Sequence, residues 1–354
     1  MHIVLVGANH RSCPIELRER LAFSREQLPS ALAALRQELG VAEATILSTC
    51  NRVEIYAAVP QLDGTVDRLS AFLSRRSEVA RSTLEPRLYA YTEPESIRHL
   101  FAVASGLDSM VIGETEILQQ VKCAYELARL NGTTGKVFNT LFQKALNTGK
   151  TVQAKTALGR GCVSVGTVAI ELAQKIFSDL KPYTVLLVGA GKMGELTLKH
   201  LSARGVTKIR ILNRSLDRAQ ELAAQYGGLA HRLADWAVQM VDADIVMTST
   251  ASARFLVTQP DVAAIMRQRR HRPLCLIDLG VPRNIDPAVG QLENVYLFDV
   301  DDLQGLVNHH HAQRQQAVQE SQAIVEYKVN RFVGWWQKEL TACAPWSSEL
   351  AGVR

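Results

Sequence analysis

No apolar run in this chain of 354 residues approaches the roughly 18 residues of a membrane span, so nothing in it reads as a transmembrane helix. The opening residues, Met1-His2-Ile3-Val4-Leu5-Val6-Gly7, are too short for a signal-peptide core and lack a basic leader; they read as a buried strand. Cysteine is sparse: Cys13, Cys50, Cys123, Cys162, Cys275 and Cys343 are scattered, with no CxxC pair. That argues against a disulfide scaffold and a zinc ribbon. With no export signal, it points to free thiols in a reducing, cytoplasmic compartment. There is no internal repeat and no low-complexity tract. Neither sign of charge dominates: 40 Lys+Arg against 35 Asp+Glu leaves +5, compatible with a polyanionic partner without demanding one. His309, His310 and His311 are consecutive, and consecutive helix positions point about 100° apart, so they do not share an ion easily; no metal is expected.

What the chain does have is apolar content. Hydrophobic residues make up 47%, enough for a sizeable core. The length gives a prior of roughly two to three domains. The expected fold class is α/β multidomain. Up to about residue 158, strand candidates at Ile3–Ala8, Ala44–Thr49 and Val53–Ala57 mix with helical spacing at Leu28, Leu32, Leu35 and Leu39, which suggests an α+β domain. From Glu93 to about residue 155 the pattern is helical. A helix over 163–177 reads as a connector, with Gly159 and Gly161 at its start able to absorb a backbone change. Residues 159–302 then alternate strand and helix, with strand candidates at 184–188, 209–212, 244–248, 274–278 and 295–298. That is a doubly wound Rossmann-type domain. Residues 303–354 read as one long helix, with Val318, Val325 and Phe332 seven apart, packing against a partner, and then an aperiodic tail.

Two places carry chemistry. Gly189-Ala190-Gly191-Lys192-Met193-Gly194 is GxGxxG between an apolar strand and a helix. Its glycines suit a tight turn, close approach of a pyrophosphate and tight helix–strand packing. The next strand ends at Asn213-Arg214-Ser215, with no carboxylate until Asp217. An arginine there favours a 2′-phosphate, hence NADPH over NADH, with Asn213 and Ser215 as further donors. The second place is Ser48-Thr49-Cys50-Asn51-Arg52-Val53-Glu54, a cysteine among hydroxyl, amide and guanidinium groups. A neighbouring cation favours the thiolate, and Arg52 can alternatively fork a substrate carboxylate. Cys13, near Asn9, His10 and Arg11, is the rival thiol. A nicotinamide site with a reactive thiol suggests thioester reduction.

These segments, with Gly7-Ala8-Asn9-His10-Arg11, Gly106-Leu107-Asp108-Ser109-Met110-Val111-Ile112-Gly113-Glu114 and Ser164-Val165-Gly166, make the sequence resemble the glutamyl-tRNA reductase family over roughly residues 1–340. The resemblance implies NADPH-dependent reduction of glutamyl-tRNA(Glu) to glutamate-1-semialdehyde, the first step of five-carbon tetrapyrrole synthesis. It implies Cys50 as nucleophile, His99 as a residue important for activity, and a substrate pocket of Thr49, Asn51, Arg52, Ser109, Glu114, Thr115, Glu116 and Gln120. It also implies a homodimer, although the C-terminal dimerisation segment is short for the family, and delivery of the aldehyde to glutamate-1-semialdehyde aminomutase. The competing reading is an NADP-dependent small-molecule reductase resembling shikimate dehydrogenase, which leaves Cys50 and the first domain unexplained.

Overall fold

The computed structural model describes the backbone of residues 1–159 and 165–342, and their side chains except at 159, 304–314 and 340–342. Cys162, Ser164, Gly161, Cys343 and the side chains of His309 to His311 therefore lie outside the described residues.

The first unit is built on an antiparallel sheet of β1 (His2–Asn9), β2 (Glu43–Ser48), β3 (Arg52–Val59) and β4 (Tyr89–Tyr91), in the order β2-β3-β1-β4. One face is covered by α1 (Ile15–Leu21), α2 (Leu28–Leu39), α3 (Thr65–Ser77) and α4 (Arg81–Leu84). The other is covered by α5 (Glu95–Ala104), α6 (Glu116–Leu130) and α7 (Lys136–Lys155). Helices on both faces explain why β1 and β3 read as near-continuous apolar runs rather than alternating ones. A carboxylate from the sheet ends one helix. Glu43 on β2 accepts hydrogen bonds from Gly135 N (2.6 Å), Val137 N (3.1 Å) and Phe138 N (2.7 Å), the unpaired donors at the start of α7.

The second unit begins with α8 (Val165–Phe177), which packs on the core of a six-stranded sheet. Its elements are β5 (Val185–Val188), α9 (Lys192–Ala203), β6 (Ile209–Asn213), α10 (Leu216–Tyr226), β7 (Leu229–Arg232), α11 (Trp236–Asp242), β8 (Ile245–Thr248), α12 (Gln259–Gln268), β9 (Leu274–Asp278) and β10 (Val295–Asp299). All pairings are parallel and the order is β10-β9-β8-β5-β6-β7. This is the dinucleotide-binding topology, and its switch point falls between β5 and β8, beside the glycine-rich turn.

The last helix, α13 (Gln304–Ala342), runs back onto the first unit. Val325, Val329, Phe332 and Trp336 are buried there with residues of α5 and α7, and Phe332 meets Phe101 edge-on at 6.1 Å between ring centroids. Arg98–Glu326 (2.8 Å) and Lys136–Glu339 (2.6 Å) flank the contact. The last helix thus packs on this chain's own first domain. Of the arginines at 267–272, Arg267, Arg270 and Arg272 are exposed. Arg269 is buried and donates to the carbonyls of Met240, Val241, Ala243 and Pro273, closing the end of α11.

Candidate active site

Cys50 sits at the tip of the β2–β3 hairpin, where Thr49 N–H donates to Arg52 O at 2.8 Å. Thr49 Oγ1 accepts from the backbone N–H of Asn51 and of Arg52, each at 3.2 Å, and so shapes the turn. Asn51 O accepts from His10 N at 2.9 Å, which fixes the turn against the end of β1. The thiol is half-buried.

The cation beside it is not the one its sequence neighbours suggest. Arg52 is 1% exposed and spent on carboxylates: its Nη1 donates to Glu54 Oε1 (2.8 Å) and Asp108 Oδ2 (2.9 Å), and its Nη2 donates to Asp108 O. The guanidinium that favours the Cys50 thiolate belongs to Arg18 on α1, whose Nε reaches Cys50 O at 3.4 Å. It is outweighed. Burial, then Glu114 and Glu116, push the thiol up to about 12. The resting thiol is therefore protonated, and the expectation of a thiolate favoured by Arg52 is corrected by that residue's ion pairs.

Glu54 is the hub behind the turn. Its carboxylate receives Arg52, Tyr56 Oη (2.7 Å), Tyr89 Oη (2.6 Å) and His99 Nε2 (2.7 Å). Burial alone would raise the carboxyl; the charges of His99 and Arg52 and the bonds from His99 and Tyr89 hold it well below the usual carboxylate range. Gly7 on β1 lies opposite, and a Cβ there would stand 2.8 Å from Glu54 Cγ, so the hub needs a glycine. The His99 ring also packs on Tyr89 and Tyr91, each centroid at 5.4 Å. Glu54 and Asp108 lie within the sequence motifs without a role of their own assigned there, and Tyr56, Tyr89 and Arg18 belong to none of them. Arg52, Glu54 and Tyr56 lie at period two on β3, so three polar groups on one face of an otherwise apolar strand was the available signal.

The loop 105–115 supplies the facing wall. Ser109 and Glu114 are buried, Thr115 is exposed at the start of α6, and Glu116 and the half-buried Gln120 lie on that helix. Burial and repulsion from Glu116 push Glu114 up to about 7, against the Ser109 hydroxyl and Arg52. Glu116 is also raised by burial, and Lys192, from the glycine-rich turn of the other unit, pulls it back. The two units share a core here: Ile15, Met110 and Val111 pack in one cluster with Ala190, Met193 and Leu279.

The glycine-rich turn is shaped for a dinucleotide. Gly189 has φ +112°, and a Cβ on Gly194 would lie 2.2 Å from Gly189 O. Gly191 caps α9 without a side-chain hydrogen bond, and a Cβ there would meet nothing within 4 Å, so a phosphate can approach the helix N-terminus. Lys192 and Met193 open the helix, and Ala190 N donates to Asn213 Oδ1 at 3.2 Å. Asn213 thus ties β6 to the turn. Ser215 caps α10, and Arg214 is exposed beside them.

The family description "Glutamyl-tRNAGlu reductase, N-terminal domain" matches residues 6–156, and "Shikimate / quinate 5-dehydrogenase" matches residues 171–306. A glutamyl-tRNA reductase of Syntrophotalea carbinolica is 43% identical over 335 residues, covering 95% of this chain and 76% of that protein. One of Pelotomaculum thermopropionicum is 42% identical over 355 residues, covering 99% and 80%. Among solved structures, the glutamyl-tRNA reductase of Methanopyrus kandleri is similar at 32% identity, with 95% of this chain and 80% of that one covered and a TM-score of 0.50. The second family description stops short of the Cys50 hairpin, whereas these relatives span it and both units. The chain belongs to the glutamyl-tRNA reductase family.

Proposed function

We propose that this protein reduces glutamyl-tRNA(Glu) to glutamate-1-semialdehyde with NADPH, through a thioester on Cys50. The observation that carries this reading is the shared pair of carboxylates. Glu114 and Glu116 act on the Cys50 thiol from one side, and Lys192 of the glycine-rich turn acts on Glu116 from the other. The loop that carries Glu114 packs against the glycine-rich turn, with Met110 and Val111 in one core with Ala190 and Met193, and this supports thiol and dinucleotide acting on one substrate, as a hydride transfer over roughly 3–3.5 Å requires. The small-molecule reductase alternative leaves the Cys50 hairpin without a role.

Burial first, and then the carboxylates of Glu114 and Glu116, hold the resting thiol protonated; a substrate ammonium neutralises the carboxylates, so arrival of the aminoacyl group lowers the barrier to ionisation. The Cys50 sulfur attacks the ester carbonyl, the C–O bond to the tRNA ribose breaks, and the ribose oxygen leaves with a proton. His99, steadied by Glu54 through Nε2, keeps its second ring nitrogen for proton transfer. NADPH, when bound, supplies the hydride. The thioester carbon accepts it, the C–S bond breaks, and the thiolate is regenerated with the aldehyde. Gly191 and the N-terminus of α9 would hold the pyrophosphate, and Arg214 with Ser215 the 2′-phosphate. We place the homodimer and the contact with the aminomutase in this proposal too, on the resemblance alone. Among the described residues no helix is long and apolar enough to cross a membrane.

The test is Cys50→Ser. Semialdehyde formation should vanish while NADPH titration is unchanged, and mass spectrometry of the wild type without NADPH should find a glutamyl adduct on Cys50. An adduct on Cys13, or an active serine variant, rejects the assignment.

A further inference from the structure

We propose that Arg18 is a positioning residue that ties the seating of the dinucleotide domain to the backbone of the Cys50 turn. This rests on the reading of Cys50 as the nucleophile.

The guanidinium of Arg18 is 1% exposed, and its donors span both units. Nε donates to Cys50 O (3.4 Å) and Nη1 to Cys13 O (2.8 Å), both in the first unit. Nη2 donates to Asp301 Oδ1 (2.7 Å) and Nη1 to Asp301 Oδ2 (3.3 Å), just after β10 in the second. The fork is planar and rigid, so its carbonyl and carboxylate partners are set relative to one another. The same helix is held a second time: Arg283, on the loop after β9, donates to Glu19 Oε1 (3.1 Å) and Glu16 Oε1 (3.3 Å). That loop is itself anchored. The buried Asp278 carboxylate accepts from Thr248 Oγ1 (2.7 Å), Gly280 N (2.9 Å), Asn284 N (2.6 Å) and Ile285 N (2.8 Å). α1 is therefore a short bar clamped at one side to the dinucleotide domain and at the other to the nucleophile's own carbonyl.

The charge balance gives the bar a chemical effect. Beside burial and a backbone hydrogen bond of Cys50 itself, the charged groups acting on the thiol are Glu114 from the loop, Glu116 from α6 and Arg18 from α1. Arg18 alone among these favours the thiolate, and Asp301 offsets its charge. With the domain seated, the offset is in place and the turn is held for hydride transfer. With Asp301 withdrawn, Arg18 acts on the thiol more fully, which suits attack on the ester. A bridge that merely glued two domains together would not move the ionisation of Cys50.

The readout is the pH profile of Cys50 alkylation by iodoacetamide, followed on the Cys50 peptide by mass spectrometry. It needs no tRNA, so it stands even if Cys50 proves not to be the nucleophile, which Cys50→Ser decides separately. Asp301→Asn keeps the shape and drops the charge. Its profile should shift downward by roughly half a unit to one unit. Arg18→Gln should shift it upward. Should Arg18→Gln fail to fold, Asp301→Asn decides alone, because Asp301 is partly exposed and its replacement is isosteric. Arg283→Ala, which breaks the neighbouring pairs without touching Arg18, should leave the profile in place. An unmoved profile in Asp301→Asn, or an equal shift in Arg283→Ala, overturns the proposal.

Discussion

Replacing Glu114 by Gln should change two properties of the site in opposite directions. Glu114 is the first charge, after burial itself, that pushes the Cys50 thiol up to about 12, and burial with the charge of Glu116 pushes its own carboxyl up to about 7. Removing that charge lowers the thiol by about one unit, which is about tenfold more thiolate at any pH well below 12. Alkylation of Cys50 by iodoacetamide at pH 8 should then be about tenfold faster in the variant. The gap should close on acidification: by pH 6 the wild-type Glu114 is itself mostly protonated and the two proteins converge. Turnover of glutamyl-tRNA should go the other way. The substrate ammonium loses a charge-assisted partner, on the order of 1.5–3 kcal/mol, or roughly 10- to 150-fold in kcat/KM. The wild-type kcat/KM should also rise as pH climbs through 7 and Glu114 ionises, a rise the Gln variant lacks. Equal alkylation rates at pH 8, or faster alkylation together with faster turnover, would refute the assignment of Glu114 as both brake on the thiol and seat for the ammonium.

Arg214→Ala should weaken NADPH binding roughly 10- to 150-fold while NADH binding scarcely changes, since only NADPH carries the 2′-phosphate; equal losses in a fluorescence titration reject it as the selector. Glu54→Gln takes one of the two carboxylates from the buried Arg52, leaving Asp108, and should cost about 3 kcal/mol in urea unfolding at pH 7. Because the folded Glu54 is held below its ordinary range, its contribution is present above about pH 4.5, the ordinary glutamate value, and is lost as pH falls further. The gap between wild type and variant should therefore narrow in acid, and a gap independent of pH would show that the hub acts by shape alone.

Much of this architecture was readable in advance, for physical reasons that also explain the failures. The strands 185–188, 209–213, 245–248 and 274–278 are short apolar runs punctuated by glycine and polar residues, and a buried parallel sheet leaves that trace. The glycine-rich turn is local in sequence, so its residues are found together. β4 and β7 escaped notice because Tyr89–Tyr91 spans three residues and Leu229–Arg232 is a polar edge strand. The electrostatics of the thiol were misread because sequence adjacency stood in for spatial adjacency. Arg52 begins a strand whose i, i+2 partner, Glu54, takes its charge, whereas Arg18 reaches the Cys50 turn from a helix 32 residues away. Glu114 and Glu116 enter only as pocket residues that the resemblance implies; that burial pushes Glu114 up to about 7 follows only from the packing of the loop.

The return of α13 onto the first domain has a consequence for synthesis. Its contacts join residues made early to residues made very late: Arg98 to Glu326 is a separation of 228, and Lys136 to Glu339 one of 203. While the chain emerges, the faces of α5 and α7 that receive Val325, Val329, Phe332 and Trp336 remain wet, and they carry Phe101 and its apolar neighbours. The nascent first domain is then a sticky intermediate for most of its time on the ribosome, exposed to self-association until the final helix arrives. A gene fragment ending after α7 would carry that surface permanently. Supplying the 315–339 segment as a separate peptide should restore its solubility by covering the face that the chain otherwise covers for itself.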